Sequence, residues 1–132
     1  MMTPAKIEVR FRDCDMMGHV NNAVYLSYFE QTRMHYLEQL IGRDWNYQEF
    51  GTLLVKNEVS YLKPVHLNDP VEIYLFLEEV GTKSFTFGYK VMVNNEVTTL
   101  GSSKLVCFDF KINKSVPVFP EFIEAFKKLE TK

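Results

Sequence analysis

The sequence predicts an α+β domain, a curved antiparallel sheet wrapped around one long helix. Three observations predict it. Five stretches read as strands, and one stretch carries the three- and four-residue spacing of a helix face. A single long helix must bury its apolar stripe, and the sheet is the only large surface available to it. At 132 residues, with 46% hydrophobic and 14% aromatic, the chain suits one compact domain over 1–132 with ample core material.

The elements follow in order. "KIEVRF" (6–11) alternates Ile7, Val9 and Phe11 against Lys6, Glu8 and Arg10, a strand with one apolar face. From Asn22 the period changes. Tyr25, Phe29, Tyr36, Leu37, Leu40 and Ile41 mark a helix from Asn22 to Ile41, roughly 30 Å long, with Thr32 and Arg33 interrupting the stripe. Asn21 or Asn22 caps its start and Gly42 stops it. "TLLVKNEVSYL" (52–62), "VEIYLFLEEV" (71–80), "SFTFGYKVMV" (84–93) and "EVTTLGSSKLVCFDF" (96–110) read as strands. Gly81-Thr82-Lys83 and Asn94-Asn95 punctuate them as hairpin turns, and Pro64 ends the first. A short helix, "PEFIEAFKKLE", closes the chain behind Pro117 and Pro120.

The outer sheet face bears on partners. In 84–93 the alternation is clean. In 71–80, Val71, Ile73, Leu75 and Leu77 line one side while Tyr74 and Phe76 stand on the other. That surplus hints at a homo-oligomer, beside the plainer reading of a monomer with a few exposed apolar residues.

Composition excludes several classes. A formal net charge of −2 argues against general nucleic-acid binding. The two cysteines, Cys14 and Cys107, make no disulfide framework. The N-terminus lacks the apolar run of a secretory leader, and the apolar stretches are too short to span a membrane. The expected setting is the cytoplasm.

The chemistry gathers in "FRDCDMMGHVNNAVYLSYFEQTRMHYLEQL" (11–40). Residues 12–21 carry the chain from a strand into a helix N-terminus, where free N–H groups and the positive end of the dipole collect. Such a place binds anions and can stabilise an oxyanion. A nearby carboxylate, Asp15, can act as base or nucleophile, and Gly18 permits close approach. Asp13, Asp15 and Gly18 also match the start of an EF-hand calcium loop. That match fails at Met17 and Val24, where oxygen ligands are needed. A Cys14–His19 pair is disfavoured because Asp13 and Asp15 oppose a thiolate. A metal site from Asp13, Asp15 and His19 lacks further ligands, since His35 and His66 are isolated, so no metal is expected. Asp13 and Asp15 are too close in one segment to bracket a glycosidic bond. On the residues alone, Asp15 and the Asn pair serve equally well as turn and capping residues.

"FRDCDMMGHVNNAVYLSYFEQTR" resembles the signature of the 4-hydroxybenzoyl-CoA thioesterase-like branch of the hotdog-fold superfamily, which runs D-x-D-x-x-G, a hydrophobic or His residue, V and, five residues on, Y. "VSYLKPVHLNDPVEI" (59–73) resembles the family's aromatic, Pro and Asp ahead of the next strand. The resemblance covers nearly the whole chain. It implies a hotdog fold and an acyl-CoA thioesterase, hydrolysing a thioester to a carboxylic acid and free thiol. It implies Asp15 as the catalytic carboxylate and the backbone N–H at or near Asn22 as the carbonyl donor. Gly18 and Tyr25 match the motif glycine and tyrosine, and His19 and Val20 complete the loop beside the substrate.

The resemblance further implies a groove shared across a homodimer or a dimer of dimers, with Val59, Ser60 and Tyr61 near the partner's Asp15. It implies no cofactor, coenzyme A being part of the substrate. The thioester carrier is CoA or acyl-carrier protein. Lys63, Lys83 and Lys104 are candidates for CoA phosphates by charge, and each also reads as a solvated lysine. "HVNN" resembles the aliphatic acyl-CoA subgroup more than the aryl one. A hydratase, a dehydratase or an acyl-thioester-binding module of the same fold is the alternative.

Overall fold

The computed structural model describes residues 2–131. Met1 and Lys132, which the one-domain expectation includes, lie outside the described residues. The chain runs β1 (Ala5–Ile7), a 3₁₀ turn (Phe11–Asp13), α1 (Val24–Leu40), β2 (Phe50–Tyr61), β3 (Val71–Val80), β4 (Ser84–Val93), β5 (Glu96–Asp109), β6 (Lys114–Ser115) and α2 (Pro120–Phe126). The strands form one antiparallel sheet in the order β1-β3-β4-β5-β2, with β6 beside β5. Register shifts at Leu54/Lys56, Leu77/Glu79 and Val91/Met92 bend the strands, so the sheet curls around α1. This is the expected hotdog arrangement.

The core lies between α1 and the inner sheet face. On β4, Phe85, Phe87, Tyr89 and Val91 are all fully buried, as the period-2 pattern predicts. Phe29 of α1 stacks flat on Tyr89 with ring centres 4.2 Å apart. Gly101 lies beneath it, because a Cβ there would stand 2.5 Å from the Phe29 ring. Phe122 and Phe126 of α2 close the other end against Phe85. The β4–β5 connection is Asn94-Asn95, both at positive φ (50° and 64°), the two-residue turn whose twist matches a hairpin.

Four expectations need correction. The first strand stops at Ile7. The Asp13 carboxylate accepts the Arg10 N–H, and the Asp13 N–H donates to the Arg10 carbonyl, so the chain turns and Phe11 is left 82% exposed. The long helix begins at Val24, because Asn21 Oδ1 accepts the Ala23 N–H and holds residues 21–23 in a turn. It ends one residue early, at Leu40, with Gly42 at φ 93° donating to the Leu37 and Glu38 carbonyls.

Thr32 and Arg33 do not interrupt the buried stripe but belong to it. The Thr32 hydroxyl is absorbed by the Tyr28 carbonyl, and the Arg33 guanidinium reaches polar partners on the sheet. On the outer face, Phe76 is not surplus in the sense expected. It folds across the strand onto Gly88, which has no side chain to oppose it, and only Tyr74 stays exposed. β2, β5 and α2 differ from expectation only at their ends, by up to four residues.

Candidate active site

The loop between the 3₁₀ turn and α1 is held from both sides. Asp13 anchors it. Its carboxylate accepts the Tyr28 hydroxyl at 2.7 Å, and its carbonyl accepts the Asn21 N–H at 2.8 Å. Burial, reinforced by the Asp13 charge, pushes the Tyr28 hydroxyl pKa well up, so it stays a donor. Cys14 pairs with Val20 across the loop, and the Asp15 N–H donates to the His19 carbonyl at 2.8 Å. Gly18 takes φ 79° at the tip with nothing within 4 Å of where a Cβ would stand. Its glycine is therefore required by the left-handed backbone and not, within this chain, by close approach.

Asp15 organises this loop. One carboxylate oxygen, Oδ1, accepts the Met17 N–H at 2.9 Å and the His19 N–H at 3.2 Å. Among the described residues nothing bonds the other oxygen. Asp15 lines a cleft of about 390 Å³ together with His19, Val20, Asn22, Tyr25 and Tyr61. Gly18, Val59 and Ser60 are not part of its wall. Met17, Asn21, Leu62, Lys63 and Pro64 also wall it, and of these the sequence named only Lys63 as a substrate contact, by charge alone. The signal for Leu62, Lys63 and Pro64 was available. Pro64 ends β2 and turns the chain back, and the Val65 carbonyl accepts the Val20 N–H at 2.7 Å, which brings the segment against the loop.

The start of α1 supplies the second chemical group. The Asn21 N–H goes to Asp13, the Ala23 N–H to the Asn21 side chain and the Val24 N–H to the Asn21 carbonyl. Among the described residues the Asn22 N–H has no acceptor, and it sits at the positive end of a 17-residue helix. The Tyr61 hydroxyl donates to the Asn22 carbonyl at 2.8 Å, and its ring meets Tyr25 edge-on at 5.1 Å. This fixes the backbone on the far side of that donor.

The remaining candidates sort plainly. His19 packs its ring edge-on against His66 at 4.8 Å, the two residues being bridged across the loop. Cys14 and Cys107 are free thiols. Burial, then the charges of Asp13 and Asp15, raises the Cys14 thiol pKa, which removes it as a nucleophile at neutral pH. Of the three lysines only Lys63 reaches the cleft, and there it ion-pairs with Glu96. Among the described residues no three His, Cys, Asp or Glu side chains stand close enough to hold a metal ion. What the cleft offers is a carboxylate with one free oxygen and a backbone donor at a helix N-terminus.

Known proteins resemble this chain over most of its length. A sequence model of the thioesterase-like superfamily matches residues 9–126. A crystal structure of a thioesterase from Thermus thermophilus, complexed with coenzyme A and Zn, is 34% identical, with a TM-score of 0.84 over 97% of this chain and 93% of that one. The long-chain acyl-CoA thioesterase FadM of Escherichia coli is 26% identical over 127 residues, 94% of this chain and 96% of that protein. The protein YsmA of Bacillus subtilis is 34% identical over 84 residues, 64% of this chain, and the match spans about half (56%) of its own length.

Proposed function

The chain belongs to the thioesterase-like superfamily, and from that membership we propose that it hydrolyses acyl-CoA thioesters to a carboxylic acid and free thiol. The observation that carries the proposal is one cleft holding both a carboxylate with a free oxygen and an unpaired N–H at the mouth of α1. Hydrolysis turns the thioester carbonyl oxygen into an oxyanion. The Asn22 N–H and the helix dipole meet that charge as it develops. Asp15 either draws a proton from water attacking the carbonyl carbon, or attacks that carbon itself to give a mixed anhydride that water cleaves. Either route releases CoA as the thiol. Coenzyme A enters as part of the substrate, and neither route calls on a metal or a redox cofactor.

Asp15 and the Asn22 backbone are the catalytic groups in this proposal. His19, Val20, Tyr25 and Tyr61 wall the substrate, and Gly18 sets the loop. The favoured substrate is an aliphatic acyl thioester, with acyl-CoA ahead of acyl-carrier protein. The working unit is a homodimer or a dimer of dimers. Supporting this, Val59 and Ser60 stand off their own chain's cleft, and β2, the strand at the margin of the sheet, carries exposed Leu53, Leu54 and Val55. No helix among the described residues is long and apolar enough to cross a membrane, and the two free thiols fit a reducing cytoplasm.

A panel of acyl-CoA esters assayed for released thiol tests the activity. A single turnover in ¹⁸O-water separates the two routes. Direct attack can leave label in Asp15, whereas base catalysis leaves it only in the acid. No thiol release from any ester, with the thioesters still bound, would sink the hydrolase reading in favour of a binding module.

A further inference from the structure

The two catalytic groups proposed above stand on different pieces of backbone. Asp15 lies on the loop after the 3₁₀ turn, and the Asn22 N–H lies at the mouth of α1. One thioester carbonyl must meet both, so their separation has to be fixed. A short ladder within the loop does part of this. The Asn21 N–H donates to the Asp13 carbonyl at 2.8 Å, Cys14 pairs with Val20, and the Asp15 N–H donates to the His19 carbonyl at 2.8 Å. The ladder sets residues 13–15 against residues 19–21. A tie from the Val20 N–H to the Val65 carbonyl, at 2.7 Å, runs to the segment after β2 and not to the helix.

Among the described residues, one side-chain hydrogen bond joins residues 10–20 to α1. It is the bond from the Tyr28 hydroxyl to Asp13 Oδ2, at 2.7 Å. Tyr28 stands a turn inside α1 and is buried. The same Oδ2 accepts the Arg10 N–H at 3.0 Å, so one atom ties the body of the helix to the entry of the loop. A hydroxyl on a carboxylate makes a shorter and stronger bond than one between neutral groups. Neither Tyr28 nor Asp13 walls the cleft, so neither touches a substrate lying there.

We propose that Tyr28 and Asp13 are a positioning pair, a tether from the body of α1 that fixes Asp15 relative to the Asn22 N–H. Their part in turnover rests on the hydrolase reading above, whereas the tether itself does not. Tyr28→Phe removes the hydroxyl and keeps the ring, so the core stays filled while the loop is released.

Steady-state thiol release by Tyr28→Phe, Asp13→Ala and the double variant tests the pair. Tyr28→Phe lowers kcat about ten- to a hundredfold, the scale of a displacement on the order of 1 Å, and leaves KM within about twofold. Asp13→Asn keeps most of the turnover, because its amide oxygen accepts the same two donors. The double variant is no slower than Asp13→Ala, because both residues act through one bond. Phe126→Leu is the control. It lies at the other end of the core against Phe85 and Phe87, and it lowers the melting temperature while leaving kcat alone. A Tyr28→Phe kcat within about twofold of the parent overturns the proposal. So do losses that multiply in the double variant, and so does a Phe126→Leu kcat that falls as far for the same melt. If Asp13→Ala does not fold, Tyr28→Phe set against Phe126→Leu decides.

Amide exchange in native buffer reads the tether without turnover. In Tyr28→Phe the Asn21 and Asp15 N–H groups exchange about tenfold or more faster, beyond any change at the core amides of β4. Unchanged exchange at both overturns the proposal. A parent that cleaves no acyl-CoA, while Tyr28→Phe frees both amides, defeats the proposed function and leaves the tether standing.

Discussion

Replacing Asp15 by Asn separates chemistry from architecture because of how the side chain is bonded. Its Oδ1 accepts two backbone N–H groups, from Met17 and His19. The amide oxygen of Asn can accept both, so the loop keeps its shape. What weakens is the charge assistance of two bonds in a half-exposed loop, a loss of about 1 kcal/mol. For a domain of this size that lowers the melting temperature by about 4 °C. The catalytic loss is larger. An amide neither attacks carbon nor takes a proton from water, and removing such a group costs about 10²–10⁴-fold in rate, or about 3–5 kcal/mol of barrier. Steady-state thiol release at saturating acyl-CoA, run beside a thermal melt, reads both quantities on one preparation. We expect turnover to collapse while the melt moves by a few degrees. Turnover at the parent rate in a folded Asp15→Asn protein refutes the assignment. Asp15→Ala is the poorer test, since it also strips both N–H groups of their acceptor.

Further outcomes follow from single contacts. Tyr61→Phe removes the 2.8 Å bond to the Asn22 carbonyl, and we expect a loss of about 0.5–1 kcal/mol and a fall of a few-fold in kcat, read by melt and thiol release; an unchanged kcat removes Tyr61 from the positioning role. Gly101→Ala drives a Cβ to 2.5 Å from the buried Phe29 ring, and denaturant midpoints should report a loss of about 1–3 kcal/mol, with no loss meaning that the ring has another place to go. Burial raises the hydroxyl pKa of Tyr25, Tyr28, Tyr36 and Tyr89 above the ordinary 10.0. The folded chain thus keeps protons that the unfolded chain sheds, so this stability is whole below about pH 10 and is lost as pH rises beyond it. Denaturant midpoints that stay flat from pH 9 to pH 11 contradict this.

Much of the fold was legible because its signals are local. The bounds of β4 follow from clean alternation, those of β3 from its run of alternate apolar residues to Leu77, and both from turn residues on either side. The first strand was overextended because its limit is set by a side chain, Asp13, bonding back to Arg10, which no periodicity records. Arg33 read as a break in the helix stripe because a charge among apolar residues looks exposed. Its partners lie 56 and 70 residues away on two strands, and only the closed sheet brings them together. At the cleft, Asp15, Asn22, Tyr25 and Tyr61 of one chain meet, whereas the resemblance implied Tyr61 beside the partner's Asp15. Leu62, Lys63 and Pro64 join them through the turn after β2, which depends on how that strand leaves the sheet. Ser60 is off the cleft because a strand's side chains alternate and it faces away from Tyr61, and Val59, two residues back on the Tyr61 side, is off it because the cleft collects only the end of β2.

The two margins of the sheet are unlike. On one, the outer side of β3 is shared between the three residues of β1 and a bridge from Leu77 to Thr131, so few backbone groups are left to template another strand. On the other, eleven of the twelve residues of β2 pair with β5, Val55 being the bulge, and no strand pairs with the opposite side of β2. An identical chain docking strand to strand finds its long landing place at β2, and a β2-to-β2 union consumes that place on both molecules. Polymerisation then has nowhere to continue. The brevity of β1 works as a chain terminator, which keeps a twelve-residue open margin from becoming the seed of a fibre.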